Sequence, residues 1–284
     1  MGGGFSNPDR LPQWWVRRRS ACQERIISVT RARRDAEAGT RDRGHTVVQQ
    51  DETGLPSPAP GGALLLRQRP DRPRAAVLLL HGGQETSLRP ARPWQLAALR
   101  MGPFLRAVSG ALPGDDVLLA RARYRVRGWN GERADAVRDT HRALDELAEL
   151  AGPVPTVLLG HSMGGRAALR AAGHPQVRGV VALAPWWPPG EPVEQTAGRH
   201  IVCLHGDQDR VTSPTDSADC VRRARTTATR TGMALIGGGD HGMLRRHRLW
   251  HATAAALVAH LLDPTGTPDP LPEESYGTAD FPVL

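Results

Sequence analysis

Short apolar runs recur between residues 63 and 236, and glycine, proline or charged residues bound each of them. The run Ala75–Leu80 is apolar throughout, which is typical of a central strand covered on both faces. Between the runs lie longer segments with helical spacing of apolar positions, as in residues 132–150. The pattern predicts strands at residues 63–67, 75–80, 116–120, 156–159, 177–183, 200–204 and 233–236.

The segments between these strands predict helices over residues 94–112, 132–150, 162–172, 213–230 and 243–262. Ser213 followed by Pro214 is a typical helix start, with the serine as cap and the proline in the first turn. Strands that alternate with helices favour an α/β fold with a mostly parallel central sheet and helices on both faces. Ligands of such sheets bind beyond the carboxyl ends of the strands, so residues that follow strands are the candidates for chemistry.

Composition divides the chain into three parts. Residues 1–60 are rich in arginine, glycine and proline, and we predict a basic, disordered N-terminal extension there. A surface-binding patch around Trp14 and Trp15 is the alternative for this part. Residues 61–263 contain all of the predicted strands and helices and form one domain. Residues 264–284 are proline-rich and acidic, which indicates a loose tail.

The net charge of +8 over 284 residues invites a nucleic-acid interpretation, but its distribution argues against one. All 37 basic residues are arginine, which indicates a compositional bias rather than a binding face. Residues 1–75 hold 14 arginines and 8 acidic residues, so +6 of the charge lies there. We therefore expect no nucleic-acid partner, although an accessory role for the basic extension stays an open hypothesis.

Cysteine content and hydropathy bear on the cellular compartment. Three scattered cysteines are too few for a disulfide framework. No segment reaches the ~18 consecutive apolar residues that a bilayer span needs. We expect a cytoplasmic protein without a membrane span.

The most informative residue is Ser162, which lies in the pattern Gly160-x-Ser162-x-Gly164. An apolar strand precedes this pattern and a helix follows it. A serine at such a tight strand-to-helix turn is pushed out of the sheet, so its hydroxyl is exposed to a substrate. Because the turn opens a helix, the N–H of Met163 can point at a developing oxyanion.

Serine is a poor nucleophile alone and needs a base, which in turn needs an orienting carboxylate. Asp209 follows the strand at 200–204, and His241 follows the strand at 233–236. Asp207 is the rival acid, and we expect it to shape the turn instead. Asp240 is expected to cap the loop or the helix, because adjacent residues such as 240 and 241 rarely face each other well.

Other histidines compete with His241 for the role of base. His247 and His251 lie within the final predicted helix rather than on a loop after a strand, so we do not expect them to serve. His81, His161 and His205 are expected to be loop residues of the fold.

Gly83 follows the strand Ala75–Leu80 and is the expected second oxyanion donor through its N–H. Gln84 beside it is a less favoured donor and a candidate for substrate binding.

Four motifs together resemble the α/β-hydrolase family: LLLHGG at 78–83, GHSMGG at 160–165, LHGDQD at 204–209 and GDHG at 239–242. Small esterases, lysophospholipases and dienelactone hydrolases without a lid are the most similar types. The resemblance implies that Ser162 is the nucleophile, His241 the general base and acid, and Asp209 the orienting carboxylate. It implies an oxyanion hole made by Gly83 and Met163, and no metal or organic cofactor.

Only residues 184–199 separate two predicted strands, which leaves room for one short helix and no cap domain. Trp129, Trp186 and Trp187 follow strands and either line an acyl pocket or pack in the core; both interpretations are kept. We expect a serine hydrolase that cleaves a small-molecule carboxylic ester or thioester through an acyl-enzyme. The alternative is a hydrolase-like binding or scaffold protein whose triad is unproductive.

Overall fold

A seven-stranded sheet forms the centre of the computed structural model, which describes residues 62–112, 114–277 and 280–284. The predicted N-terminal extension lies outside the described residues. The strand order is β1-β3-β2-β4-β5-β6-β7, in which β1 runs antiparallel to β3 and all other pairs are parallel. The strands are β1 Leu64–Gln68, β2 Ala75–Leu80, β3 Val117–Ala122, β4 Thr156–His161, β5 Val177–Leu183, β6 His200–Gly206 and β7 Arg230–Ile236.

Helices cover both faces of the sheet, as the alternating sequence pattern predicts. They are α1 Leu96–Ala111, α2 Asp135–Ala151, α3 Met163–Arg170, α4 Pro214–Ala224 and α5 His247–Leu262, with 3₁₀ turns at Gly131–Arg133, Glu194–Thr196 and Glu273–Tyr276. Helices α1 and α5 pack on one face, and α2, α3 and α4 pack on the other. Within the parts of the chain that are described, no helix is both long enough and apolar enough to cross a bilayer.

Strand β2 explains why its sequence is apolar at every position. Leu78 and Leu80 belong to the core on the α2–α4 side, whereas Val77 and Leu79 belong to the core on the α1–α5 side. All six residues of the strand are buried. A strand with both faces covered cannot alternate apolar and polar residues, so the prediction of a central strand is confirmed.

Two predicted helix starts differ from the structure because the backbone turns left-handed there, and the helix predicted over 213–230 ends at Ala224. The final helix was predicted from residue 243 but begins at His247, because Met243 and Arg246 have positive φ angles of 54° and 57°. The predicted helix over 132–150 is interrupted at Ala134, whose φ is 44°. Side-chain periodicity does not report these local turns.

The predicted start of α4 is confirmed by its capping geometry. The Ser213 hydroxyl accepts a hydrogen bond from the Asp216 N–H at 3.0 Å, and Pro214 occupies the first turn. These contacts satisfy one of the free N–H groups at the helix N-terminus.

The segment after residue 264 is not loose in its last residues, contrary to the expectation from its composition. Strand β7 donates the Leu235 N–H to the Pro282 carbonyl and accepts the Leu284 N–H, both at 2.8 Å. The Phe281 side chain is 9% exposed and joins the core on the α4 side, under the guanidinium groups of Arg222 and Arg225. Backbone pairing and one buried ring outweigh a proline-rich composition here.

Replacing Phe281 by alanine tests this packing. We expect Phe281→Ala to lower the free energy of unfolding by about 3 kcal/mol, because it leaves a cavity beside α4. Urea unfolding followed by circular dichroism measures the change. Leu66→Ala is the control, because Leu66 is 44% exposed on the edge strand β1. Equal unfolding midpoints for the two variants would contradict the packing.

Candidate active site

Ser162 occupies the turn between β4 and α3 with φ 54° and ψ −118°. Its N–H donates to the Leu183 carbonyl at 3.1 Å, and its carbonyl accepts the Trp186 N–H at 3.1 Å. A left-handed conformation is uncommon for a residue with a Cβ and persists only where neighbouring contacts hold it. The two bonds to the end of β5 supply such contacts and leave the half-buried hydroxyl at the carboxyl edge of the sheet.

The glycines on either side of Ser162 are required by close backbone contacts. A Cβ at Gly160 would clash with the Gly164 carbonyl, and a Cβ at Gly164 would clash with the Leu80 carbonyl. The turn therefore brings the backbones of β4, α3 and β2 together without intervening side chains. The predicted reason for the Gly-x-Ser-x-Gly spacing agrees with this geometry.

The three side chains singled out in the sequence lie in one hydrogen-bonded row. The His241 Nε2 atom lies 3.2 Å from the Ser162 Oγ atom. The His241 Nδ1 atom lies 2.8 Å from the Asp209 Oδ2 atom. When Nδ1 carries the ring proton and donates it to the carboxylate, Nε2 is left to accept the serine proton. The structure thus brings together residues that are up to 79 positions apart.

Asp209 is fully buried and is surrounded by hydrogen-bond donors. Its Oδ1 atom accepts the backbone N–H groups of Val211 and Thr212 at 2.8 and 3.0 Å. Burial alone raises the pKa of this carboxyl. The hydrogen bonds from His205, from His241 and from the backbone outweigh burial and hold the pKa well below its usual range. The carboxylate therefore stays ionised and oriented toward the imidazole.

The side chains of Thr212 and His205 also bond to Asp209, and neither residue is predicted as a site residue from the sequence. The Thr212 hydroxyl donates to the Asp209 Oδ2 atom at 2.9 Å, and the buried His205 places Nε2 3.2 Å from the same oxygen. His205 is itself oriented by the Ser217 hydroxyl, 3.0 Å from its Nδ1 atom. His205 is expected from the sequence to be a loop residue of the fold, but it lies within β6. The four-residue spacing to Asp209 at a strand end was the signal that could have found it.

His161 lies beside His241, with ring centroids 5.0 Å apart. Its Nε2 atom donates to the His241 carbonyl at 3.0 Å, which ties the histidine loop to the end of β4. Burial, together with the smaller effect of the neighbouring His241, lowers the pKa of His161 to about 3. The ring is therefore neutral near neutral pH and adds no positive charge next to His241.

The acid loop and the histidine loop are bonded directly to each other. The Asp207 carboxylate accepts the Gly238 N–H at 2.7 Å, and the Gln208 N–H donates to the Gly239 carbonyl at 3.0 Å. Asp207 thus shapes the turn, as predicted, and lies apart from the row. Asp240 turns away from the imidazole and accepts the N–H groups of the two residues that follow Met243.

The rival histidines lie elsewhere. His247 and His251 are on α5, with their rings 6.0 Å apart. The His251 ring meets Phe104 of α1 edge-on, at a centroid distance of 4.5 Å. His251 thus belongs to the packing of α1 against α5, whereas His247 is exposed.

The predicted oxyanion donors lie side by side. A Cβ at Gly83 would clash with the Met163 side chain and with the Arg127 carbonyl. Met163 is the first residue of α3, so its N–H has no partner within the helix. The Gln84 N–H instead donates to the Arg127 carbonyl at 2.9 Å, which removes Gln84 as a backbone donor. Its exposed side chain lies on the same loop.

The three tryptophans have different environments. Trp187 is 2% exposed, and its indole N–H donates to the Gly165 carbonyl at 3.2 Å, so it packs in the core. Trp129 and the half-buried Trp186 meet edge-on at 6.0 Å. The Arg166 guanidinium lies against both rings, 4.1 and 4.6 Å from their centroids. Trp129, Trp186 and Arg166 thus form an aromatic and cationic cluster, in which Trp129 is only 3% exposed.

Glu191 holds the Arg166 side chain of this cluster in place. Its carboxylate is fully buried and accepts the Arg166 Nε–H at 2.7 Å and a second bond from Arg170. Burial lowers the pKa of the Arg166 guanidinium, and Glu191 opposes that shift. Neither Arg166 nor Glu191 is predicted as a site residue from the sequence, because their pairing joins α3 to a loop 25 residues away.

Residues 184–199, between β5 and β6, are all described and contain one short 3₁₀ helix, Glu194–Thr196. No helical cap stands on this part of the chain. The prediction that this connection leaves the site uncovered agrees with the geometry.

Comparison with known proteins identifies the architecture. A family model described as an alpha/beta hydrolase domain matches residues 125–264, which include Ser162, Asp209 and His241. A putative alpha/beta hydrolase from Agrobacterium tumefaciens superposes with a TM-score of 0.55 at 15% identity, over 73% of this chain and 94% of that one. The chain has the α/β-hydrolase fold. The resemblance drawn from the four motifs is confirmed as far as the fold.

Two further solved structures resemble the chain in fold. Est1E from Butyrivibrio proteoclasticus has a TM-score of 0.53 at 12% identity, over 70% of this chain and 93% of that one. A monoacylglycerol lipase from Paleococcus ferrophilus has a TM-score of 0.53 at 15% identity, over 71% and 99%.

Among curated proteins, Phospholipase YtpA from Bacillus subtilis (strain 168) is 31% identical over 120 residues. The match covers 40% of this chain and 42% of that protein, so the chain spans less than half of the relative's length.

The buried Asp209 carboxylate predicts a pH-dependent contribution to stability. At pH 7 we expect Asp209→Asn to lower the free energy of unfolding by about 2 kcal/mol, because charged hydrogen bonds are lost. The folded pKa lies below the ordinary 3.8, so only the unfolded chain takes up this proton as the pH falls. The difference between wild type and variant should be constant above about pH 5 and shrink below about pH 4.

Urea unfolding at several pH values measures this difference. Asp219→Asn is the matched control, since the Asp219 side chain is 63% exposed. A gap between wild type and Asp209→Asn that keeps its size below pH 4 would count against an ionised, hydrogen-bonded Asp209.

Proposed function

We propose that the protein is a serine hydrolase that cleaves a carboxylic ester or thioester through an acyl-enzyme. The row from Ser162 through His241 to Asp209 carries this proposal, since it supplies a nucleophile, a base and an orienting carboxylate in sequence. The reaction is assigned to residues 61–263. No metal or organic cofactor takes part.

In the first step the Ser162 Oγ atom attacks the acyl carbon while the His241 Nε2 atom takes the hydroxyl proton. The resulting imidazolium is stabilised by the ionised Asp209, to which its Nδ1–H stays bonded. The neutral His161 helps, because a second positive charge 5.0 Å away would disfavour protonation of His241.

The negative charge that develops on the acyl oxygen is bound by the N–H groups of Met163 and Gly83. The Met163 N–H lies at the start of α3, where the helix dipole also favours negative charge. Because both groups belong to backbone held by close contacts, they need little rearrangement when the charge appears.

His241 then gives its proton to the leaving alcohol or thiol as the bond to the acyl carbon breaks. Water enters, loses a proton to the same Nε2 atom and attacks the acyl-enzyme. The bond between the acyl carbon and the Ser162 Oγ atom then breaks, and the Nε2 proton returns to that oxygen as the carboxylic acid leaves.

A small-molecule substrate is supported by the uncovered site and by the names of the similar proteins, which include a phospholipase, a monoacylglycerol lipase and an esterase. Trp129, Trp186 and the exposed Gln84 side chain are proposed to contact the substrate beside Ser162. The buried Trp187 supports these residues from the core and does not contact the substrate itself.

Ser162→Ala tests the nucleophile. We expect kcat for p-nitrophenyl butyrate to fall by roughly 10⁴-fold or more, because no other group can form the acyl-enzyme. A fluorophosphonate probe should label the native protein and not the variant. The control is Ser109→Ala, which changes an exposed serine of α1 and should retain both activity and labelling.

Labelling also separates the enzyme from a scaffold protein. A native protein that folds but neither takes up the probe nor hydrolyses esters or thioesters of several chain lengths would support the unproductive, hydrolase-like alternative. Full activity in Ser162→Ala would place the chemistry elsewhere.

Gly83→Ala tests the oxyanion donor. The new methyl group would meet the Met163 side chain and the Arg127 carbonyl, so the loop must shift and carry the N–H away. We expect kcat/KM to fall on the order of 100-fold while the Ser162–His241 pair stays in place. Thr86→Ala, an exposed change on the same loop, serves as control in the same ester assay. Unchanged kinetics in Gly83→Ala would exclude this donor.

A further inference from the structure

One surface of the molecule combines exposed apolar side chains with exposed arginines. Trp94, Leu96 and Leu99, at the start of α1, are 67%, 86% and 52% exposed. Leu244, just before α5, is 62% exposed. We call the outer surface formed by α1, α5 and the loops that lead into them the α1/α5 face.

The two helices of this face are neighbours, as the edge-on contact of Phe104 with His251 shows. Helix α1 turns Met101 and Phe104 inward, while Leu96, Leu99 and Arg106 recur on its outward side. A surface helix normally keeps its outward side polar. Two large apolar residues there mark a place where water is displaced by something else.

The charge of the face is one-sided. No acidic residue occurs between Glu85 and Asp115, or between Asp240 and Asp263, whereas these two stretches contain seven arginines. Arg106, Arg245 and Arg248 are exposed and form no ion pair with any residue that the structure describes. A partner for this face therefore carries negative charge.

The face borders the candidate active site. Leu244 follows His241 by three residues, and the positive charge of Arg100 on α1 lies close enough to lower the pKa of both His161 and His251. Whatever covers the face thus lies near the loop that carries His241.

We propose that the α1/α5 face docks on an anionic lipid surface. Exposed tryptophan and leucine insert at the boundary between headgroups and acyl chains, and arginines beside them contact the lipid phosphates. A second copy of the same face is disfavoured, because it would bring like charges together. Residues 1–61 are disfavoured as a cover for the same reason, since they hold ten arginines and seven acidic residues. Nucleic acid would leave the leucines in water.

Sedimentation with vesicles tests the proposal on the full chain. The vesicles are pure phosphatidylcholine or a 70:30 mixture of phosphatidylcholine and phosphatidylglycerol, in low and high salt. We expect binding to the mixed vesicles, weakened by salt. The double change Arg106→Gln and Arg248→Gln should lower the partition coefficient by roughly 25-fold, or about 5-fold for each arginine. Leu96→Gln with Leu99→Gln should lower it at least 10-fold in both salts.

Matched controls make the same changes away from the face. Arg67→Gln with Arg178→Gln removes two exposed arginines, on β1 and β5, and Leu66→Gln changes an exposed leucine of β1. These variants should bind vesicles as the wild type does. All variants should hydrolyse soluble p-nitrophenyl butyrate at the wild-type rate, which shows that they are folded.

Equal vesicle binding by face and control variants would overturn the proposal. Binding of double-stranded DNA would also overturn the proposal if the arginine variant of the face lost that binding but still bound the mixed vesicles. Nucleic acid would then be the partner. Vesicle binding by Ser162→Ala keeps this result separate from the proposed chemistry, because docking does not need the nucleophile.

Discussion

The left-handed backbone of Ser162 is the constraint on which the site depends. A residue with a side chain is held at a φ of 54° because the chain must leave β4, reverse and enter α3 within a few residues. The reversal is possible only where the carbonyls of Gly164 and Leu80 can approach glycine rather than a bulkier residue. The buried sheet around Ser162 holds its strained backbone. The same turn places the Ser162 hydroxyl beside the first residue of α3.

The charge state of the row follows from its surroundings rather than from its three members. Asp209 accepts hydrogen bonds from a threonine, two histidines and two backbone groups, which keeps it ionised despite burial. His161 is kept neutral by burial a short distance away. The imidazole of His241 therefore sits between a fixed negative charge and a neutral ring, which favours taking up a proton on its serine side.

Much of this arrangement was predictable, because parallel sheets place chemistry after strands. Ser162, Asp209 and His241 each follow an apolar run, which narrows the candidates, and the resemblance to the α/β-hydrolase motifs then selects Asp209 over Asp207. Contacts between distant segments were not predictable in the same way. Arg166 against Trp129, His205 beside Asp209, and Phe281 under α4 depend on where loops meet in space, and no local periodicity encodes that.

The hydrogen bonds that join the Asp207 loop to the Gly238 loop have a mechanical consequence. Asp209 and His241 lie on two loops, after β6 and β7, that are hydrogen-bonded to each other. Ser162 is instead held by β4 and β5. The 2.8 Å contact between carboxylate and imidazole lies within this pair of bonded loops. The 3.2 Å contact between imidazole and serine joins the pair to β4, where the hydrogen bond from His161 to the His241 carbonyl is a second link. A displacement of β4 relative to β6 and β7 would thus change the distance from His241 to Ser162 before it changes the distance from His241 to Asp209.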